Sequence, residues 1–246
     1  MHIKIITYNI HKGLNFNNRS FVLQEIRKAI RSLDADIVFL QEVIGSHSKH
    51  QERIKDWPLL TQFEYLADTV WTHHAYGKNA VYTAGHHGNA ILSKYPFIWQ
   101  ENINISASRL DPRGLLHGII QLPDNKKLHL ICIHCGIFER WRKKQVQKLC
   151  SRIHSHIPFE DALIIGGDFN DWRNRVSLEL KKQLNILEVF EEIHGEHCRS
   201  YPSFWPLLPL DRIYVRGVDI YEAHCFATAP WNRLSDHLAL YAEVNI

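Results

Sequence analysis

Short β-branched apolar runs recur along this chain, and most of them break off at a polar residue. Ile3, Ile5 and Ile6 through Tyr8 form the first run, which ends at Asn9 before Gly13 releases the chain into an asparagine-rich loop. Such runs predict strands. Val22, Ile26, Ala29, Ile30 and Leu33 then recur at helical spacing, with Arg27, Lys28 and Arg31 opposite and Ser20 placed to cap the start. The run from Ile37 to Leu40 predicts a buried strand that delivers Gln41 and Glu42 at its end. Two strand–helix steps thus carry an amide and a carboxylate to one sheet edge.

The stretch from Ser46 to Gly88 is polar and rich in histidine and aromatic residues, and a helix from about Gln51 to Phe63 is expected in spite of Pro58. A strand follows at Ala90–Leu92. Runs at Leu115–Leu122 and Leu128–His134, separated by Asp124 and Asn125, predict a hairpin. Val146, Leu149, Cys150 and Ile153 give a helical stripe; Arg140, Arg142, Lys143, Lys144, Lys148 and Arg152 read as its solvated face, with a phosphate-facing patch as the alternative. The apolar run Ala162–Ile165 opens into Gly166, Gly167, Asp168, Phe169 and Asn170, read as a strand ending in a glycine-loosened loop. Alternation puts Asp168 and Asn170 on one side and Phe169 on the other.

Later come a helix over Arg175–Leu184, a proline-punctuated aromatic loop from Tyr201 to Pro209, and strands at Arg212–Val215, Ile220–Phe226 and Leu238–Val244. No linker, repeat or low-complexity tract divides residues 1–246, so one domain is expected. Early and late strand–helix pieces with hairpins between them predict an α/β fold of two sheets packed face to face and covered by helices.

Composition narrows this picture only slightly. A 45% apolar fraction over 246 residues suffices for a sizeable core, and a net charge of +3 permits a polyanionic partner without demanding one. Five scattered cysteines argue against a disulfide framework and for a reducing compartment. Cys132, His134 and Cys135 suggest a zinc half-site, but an extended strand points Cys132 and Cys135 to opposite faces. No signal-like opening and no membrane-length run occurs, so a cytoplasmic monomer without stable membrane insertion is expected.

Taken in order, Thr7-Tyr8-Asn9, Gln41-Glu42, the Ile133-His134 strand end, Gly166-Gly167-Asp168-Phe169-Asn170, Leu210-Asp211-Arg212-Ile213 and Ser235-Asp236-His237 make the chain resemble the endonuclease/exonuclease/phosphatase superfamily, the DNase I-like fold. Gly88 to Ser93 before Tyr95-Pro96, and Pro112-Arg113-Gly114, look like the same group. The resemblance covers nearly the full length and implies a four-layered α/β sandwich, with two mixed sheets flanked by helices. It also implies divalent-metal-dependent cleavage of phosphate esters.

Such cleavage needs a cation on the phosphoryl oxygens, an activated water and a donor for the leaving group. The resemblance makes Glu42 the first ligand of Mg²⁺ or Mn²⁺, with Asn9 and Asp236 beside it; magnesium keeps most of its waters and needs few carboxylates. It gives Asp211 the task of orienting His237, Asp168 that of orienting or deprotonating water, and Asn170 that of donating to phosphoryl oxygens. Which of Asp168 and His237 is the base stays open. His134 is expected to bind phosphate or protonate the leaving oxygen, and Arg113 either grips a phosphate or forms a structural salt bridge. His11 stands where several nuclease members of the superfamily carry an acid, which weakens the case for a second carboxylate-bound metal.

The motifs do not choose among nucleic acid, a lipid headgroup and a small phosphorylated metabolite as substrate. Phe204 and Trp205, near Asp211, can wall an apolar-tolerant pocket or stack on a base. Two rival readings are a catalytically silent binding module that retains the fold and a histidine-rich zinc-binding protein.

Overall fold

The computed structural model describes residues 1–54 and 56–246. Among the described residues, twelve strands form two six-stranded sheets. The first has the order β11 (Asp219–Cys225), β12 (Leu240–Asn245), β1 (His2–Asn9), β2 (Ile37–His47), β4 (Gly85–Ser93), β3 (His73–Tyr82). The second has the order β5 (Phe97–Asn104), β6 (Gly114–Gln121), β7 (Lys127–His134), β8 (Ala162–Asp168), β10 (Asp211–Arg216), β9 (Leu187–Glu188). Each sheet contains a single parallel pair, β1 with β2 and β7 with β8, flanked by antiparallel neighbours.

Strict alternation along the central strands divides the core into three layers. Ile3, Ile5, Ile37, Phe39 and Ile91 of the first sheet meet Leu128, Leu130, Ile164, Ile213 and Val215 of the second between the sheets. Ile6, Tyr8, Val38 and Leu40 turn the other way, onto α1 (Leu23–Ser32), α3 (Gln62–Ala67) and α7 (Trp231–Leu234). Ile131, Ile133, Leu163 and Ile165 back onto α4 (Glu139–His156) and α5 (Arg175–Leu184). The expected four-layered sandwich is the observed architecture. The Leu115–Leu122 and Leu128–His134 hairpin and the Arg175–Leu184 helix lie where the pattern put them.

Some local expectations give way. Instead of one helix from Gln51 to Phe63 there are α2 (Ser48–Arg53) and α3, with Pro58 between them; residue 55 of that stretch lies outside the described residues. Thr61 and Glu64 form a capping box that starts α3 afresh, Thr61 Oγ1 accepting from Glu64 N at 3.3 Å and Glu64 Oε2 from Thr61 N at 3.0 Å. Ser20 does not cap α1: its N–H donates to Asn15 Oδ1 at 3.1 Å, and the helix begins at Leu23 without a side-chain cap. Nor are all the basic residues of α4 solvated. Arg142 is buried against the carbonyls of Gly136 and Ile137, and Arg152 pairs with Glu101 of β5 at 2.8 Å, because neighbouring loops and strands cover the flanks of α4. The remaining helix, α6 (Val189–His194), covers β10 and β11.

The two glycines before Asp168 lie within β8, and neither has a positive φ. A Cβ on Gly166 would stand 2.6 Å from the Phe39 ring of the opposite sheet, and one on Gly167 would stand 2.0 Å from Ile133 O. They are there for close approach of sheet to sheet and strand to strand, and the left-handed turn comes later, at Asn170 with φ 50°.

Candidate active site

The alternation that fills the inter-sheet core continues past its last apolar residue. On that inner face Ile3 and Ile5 are followed by Thr7 and Asn9, Leu128 and Leu130 by Cys132 and His134, and Ile164 by Gly166 and Asp168; Asp211 precedes Ile213 and Val215. Registry brings the polar ends together: His134 pairs with Asp168, Asp168 with Asp211, and Asn9 with Gln41. The polar end of the sandwich is therefore built by the same strands that build its core.

Asp168 ties the two sheets together. Its Oδ2 accepts from Asn9 Nδ2 at 3.2 Å and lies 3.3 Å from His134 Nε2 and 3.7 Å from His237 Nε2, while its Oδ1 accepts from Asn170 N at 2.9 Å. The other ring nitrogen of His237 is 2.8 Å from Asp211 Oδ2, which also accepts from Ser200 Oγ at 2.5 Å. Asp211, itself held by Ser200, thus sits directly against His237 from the second sheet. Asn170 gives one amide hydrogen to Cys135 O at 2.9 Å, leaving the rest of its amide toward the cleft. Cys132 and Cys135 occupy different core layers, so they share no ligand site.

Glu42 reaches the cleft by a backbone irregularity. Gln41 faces the inter-sheet layer, where it donates to Thr7 Oγ1 and Cys132 Sγ, so regular alternation would send Glu42 outward. A register shift between Leu40 and Val43, with φ 57° at Glu42, redirects the carboxylate. Its Oε2 lies 3.2 Å from Lys12 Nζ, and His11 Nδ1 lies 3.4 Å from Asp236 Oδ1.

The result is a cleft of about 350 Å³ lined by Glu42, Arg113, His134, Asp168, Asn170, Asp236 and His237 together with Ile137, Trp172, Tyr201, Leu208 and Leu210. Asn9 and Asp211 stand behind this lining and hold Asp168 and His237. Arg113 joins it with its Nε fixed by Asp111 Oδ1 at 2.8 Å, so the salt bridge and the cleft position coexist. A separate cavity of about 250 Å³ between α4 and α5 contains none of these strand-end groups; Asp171, next to Asn170 in the chain, is among its lining residues. Sequence reading left out Lys12, Ser200, Tyr201 and Trp172. None is part of a strand-end motif; Lys12 beside His11 and Trp172 two residues after Asn170 stood next to one, which was the only cue.

Charge is shared unequally in the site. Burial works against a charge on Glu42, but the field of His134, Lys12 and His237 outweighs it and holds the carboxyl down to about 2. Burial, reinforced by Arg113, keeps His134 itself well below the usual histidine range, so at neutral pH the opposing charge comes from Lys12 and His237. Burial also opposes charge on His237, yet Asp211 and Asp168 together raise it. Burial, with help from Asp211, raises Asp168.

Glu42, Asp236 and the Asn9 amide offer hard oxygen donors, and Glu42 is kept ionised; that donor chemistry fits a hard divalent cation. Another cluster, Asp168, Asp211 and His237, has ligand atoms within 4.8 Å of one another, but its imidazole is already spanned by the two carboxylates.

A family model described as the Endonuclease/Exonuclease/phosphatase family matches residues 6–237. The chain belongs to this family. Membership supports a phosphoric-ester hydrolase type of function, and the family generally uses divalent metals. The family relative called "Uncharacterized protein YbhP" of Escherichia coli is 42% identical over 244 residues, covering 99% of this chain and 96% of its own length. An endonuclease/exonuclease/phosphatase family structure from Bacteroides vulgatus superimposes with a TM-score of 0.77 at 16% identity, covering 100% of this chain and 99% of its own. The D. rerio TDP2 structure complexed with single-strand DNA product gives 0.75 at 20% identity, covering 100% and 99%. These structural likenesses show the DNase I-like fold of the family.

Proposed function

We propose that the chain is a Mg²⁺- or Mn²⁺-dependent phosphodiesterase whose cleft binds a single phosphate ester between the strand ends of the two sheets. The observation that carries this reading is the convergence of Asn9, His134 and His237 on one oxygen of Asp168 inside a cleft that also holds Glu42 and Asp236.

Glu42 and Asp236, with Asn9 beside them, would hold the metal, which when bound supplies positive charge against the phosphoryl oxygens. Asp168 takes the proton of the attacking water; its raised proton affinity suits a base working near neutral pH. His237, kept protonated by Asp211 and Asp168, donates to a phosphoryl oxygen rather than accepting a proton. The free part of the Asn170 amide and the guanidinium of Arg113 donate to the remaining oxygens, and His134 faces the leaving oxygen.

The test is a panel of plasmid DNA, single strands, RNA, phosphoinositides, sphingomyelin and a bis-ester chromogenic substrate, each with Mg²⁺ and with chelator. Metal-stimulated hydrolysis of at least one member is expected. No hydrolysis of any of them would overturn the reading for those substrate classes.

A further inference from the structure

We propose that the loops framing the cleft form a bilayer-docking surface, through which the chain meets its phosphate ester as a lipid headgroup. This rests on the phosphodiesterase reading and narrows its substrate class.

The loops leave the same end of the second sheet as the site residues. One precedes β6 and ends at Gly114, one follows His134 of β7, one follows Asp168 of β8, and one precedes Asp211 of β10; registry aligns His134, Asp168 and Asp211, with Leu115 opposite Ile133. Three of them carry large apolar side chains far into solvent, and the loop after Asp168 shows Trp172, 37% exposed. Leu110 is 90% exposed, Ile137 58%, Phe138 59%, Trp205 67% and Leu207 54%. A ring of aliphatic and aromatic tips around a polar cleft is what water-facing loops ordinarily avoid.

The tips are held outward by structure. Trp205 N donates to Pro202 O at 3.0 Å, and Leu207 N and Leu208 N both donate to Tyr201 O, at 2.9 and 2.8 Å. Arg142 grips the Ile137 carbonyl, and the Phe138 ring packs edge-on against Trp141 at 4.7 Å between centroids. These contacts satisfy backbone groups of two of the loops while their apolar side chains stay in solvent.

Charge and continuity favour a lipid surface over other partners. Arg109 precedes Leu110 and Arg140 lies two residues after Phe138; both are exposed, and neither has an ion pair among the described residues. Apolar tips with cations beside them suit a surface of acyl chains and anionic phosphates. Trp172, Leu208 and Leu210 continue the apolar character from the rim into the cleft, so an ester with hydrocarbon attached meets apolar walls up to Asp168. Trp205, Phe138 and the two arginines would also suit a nucleic acid; the aliphatic tips Leu110, Ile137 and Leu207, which offer neither donors nor flat faces, are what favours the lipid. Among the described residues no helix is long and apolar enough to cross a membrane, so the contact is peripheral.

The test is sedimentation with phosphatidylcholine vesicles doped with phosphatidylglycerol, alongside hydrolysis of a soluble bis-ester. The wild type is expected to pellet with the vesicles. Leu110→Ser/Phe138→Ser/Leu207→Ser, at positions that do not line the cleft, should lose at least about tenfold in vesicle affinity with soluble hydrolysis unchanged. Should the triple variant fail to fold, Trp205→Ser alone and Arg109→Glu/Arg140→Glu report the same loss. Equal pelleting of wild type and variants, or no pelleting of the wild type while it hydrolyses the soluble ester, would overturn the docking surface. So would rim variants that lose single-stranded DNA in place of vesicles. Rim-dependent pelleting without soluble hydrolysis upholds the docking surface and strikes only at the hydrolase reading.

Discussion

Asn9 on β1 donates to Asp168 Oδ2 on β8 across 3.2 Å, so the amide at the end of one sheet fixes the carboxylate at the end of the other. The same Asn9 side chain accepts from His11 N at 3.1 Å, which sets the direction of its NH₂ group. Site geometry therefore depends on how the sheets pack as well as on either sheet alone.

Asn9→Ala is expected to lower kcat by about 10²-fold, since it releases Asp168 and removes the amide proposed to join Glu42 at the metal. Circular dichroism should show the fold intact. Metal-stimulated turnover at the wild-type level would contradict the role given to Asn9.

Asp211→Asn is expected to cost about 10²- to 10⁴-fold in kcat with a smaller change in KM, because His237 loses the partner that orients it and favours its charge. A loss confined to KM would point to substrate binding as the role of the pair.

Gly166→Ala is expected to lower stability by about 1–3 kcal/mol, because the new methyl meets the buried Phe39 ring. Gly167→Ala should cost more, since the obstacle is the Ile133 carbonyl and the backbone itself has to move. Urea midpoints of the two variants measure the difference, and wild-type stability in either would contradict the close-approach account.

The architecture was legible in the sequence where a strand was central. The runs at Ile3–Tyr8, Ile37–Leu40 and Ala162–Ile165 are apolar because both of their faces are covered. The strands β3 and β5 were not legible: β3 alternates buried and exposed residues and β5 is mostly exposed, and both are edge strands rich in polar residues. Strand-end motifs marked Asp168, His237 and their partners, but nothing local could show that Glu42 turns inward through a bulge. Lys12 and Ser200 were hidden for a related reason, because their contacts with Glu42 and Asp211 are made by the fold and leave no local pattern.

Lys12→Met is expected to tighten Mn²⁺ binding by about threefold to tenfold, because the ammonium 3.2 Å from Glu42 Oε2 competes with a metal for that oxygen. Titration calorimetry of wild type and variant reads this directly. Weaker binding in the variant would show that Lys12 supports the metal rather than opposing it.

Away from the cleft, acid should unfold the chain partly through His117. Its Nδ1 accepts from Arg152 Nε at 3.2 Å and its Nε2 lies 3.0 Å from His129 Nδ1, whose own Nε2 is 3.1 Å from Asp161 Oδ2. Burial, then the charges of His129 and Arg152, pushes His117 down to about 3 from an ordinary 6.5. The unfolded chain therefore takes up this proton first. The contribution to stability is complete above about 6.5, declines as pH falls, and is gone below about 3. Denaturation midpoints of wild type and His117→Asn between those limits check it: the wild type should fall more steeply with acidification, and equal slopes would contradict the assignment.

The most direct test of the account is the rate of bis-ester hydrolysis by wild type, Glu42→Gln and Asp168→Asn, each with Mg²⁺ or Mn²⁺ and with chelator. The wild type should turn over only with metal, and both variants should fall by about 10²-fold or more. Metal-stimulated hydrolysis that survives in Glu42→Gln, or a wild-type rate indifferent to chelator, would contradict it.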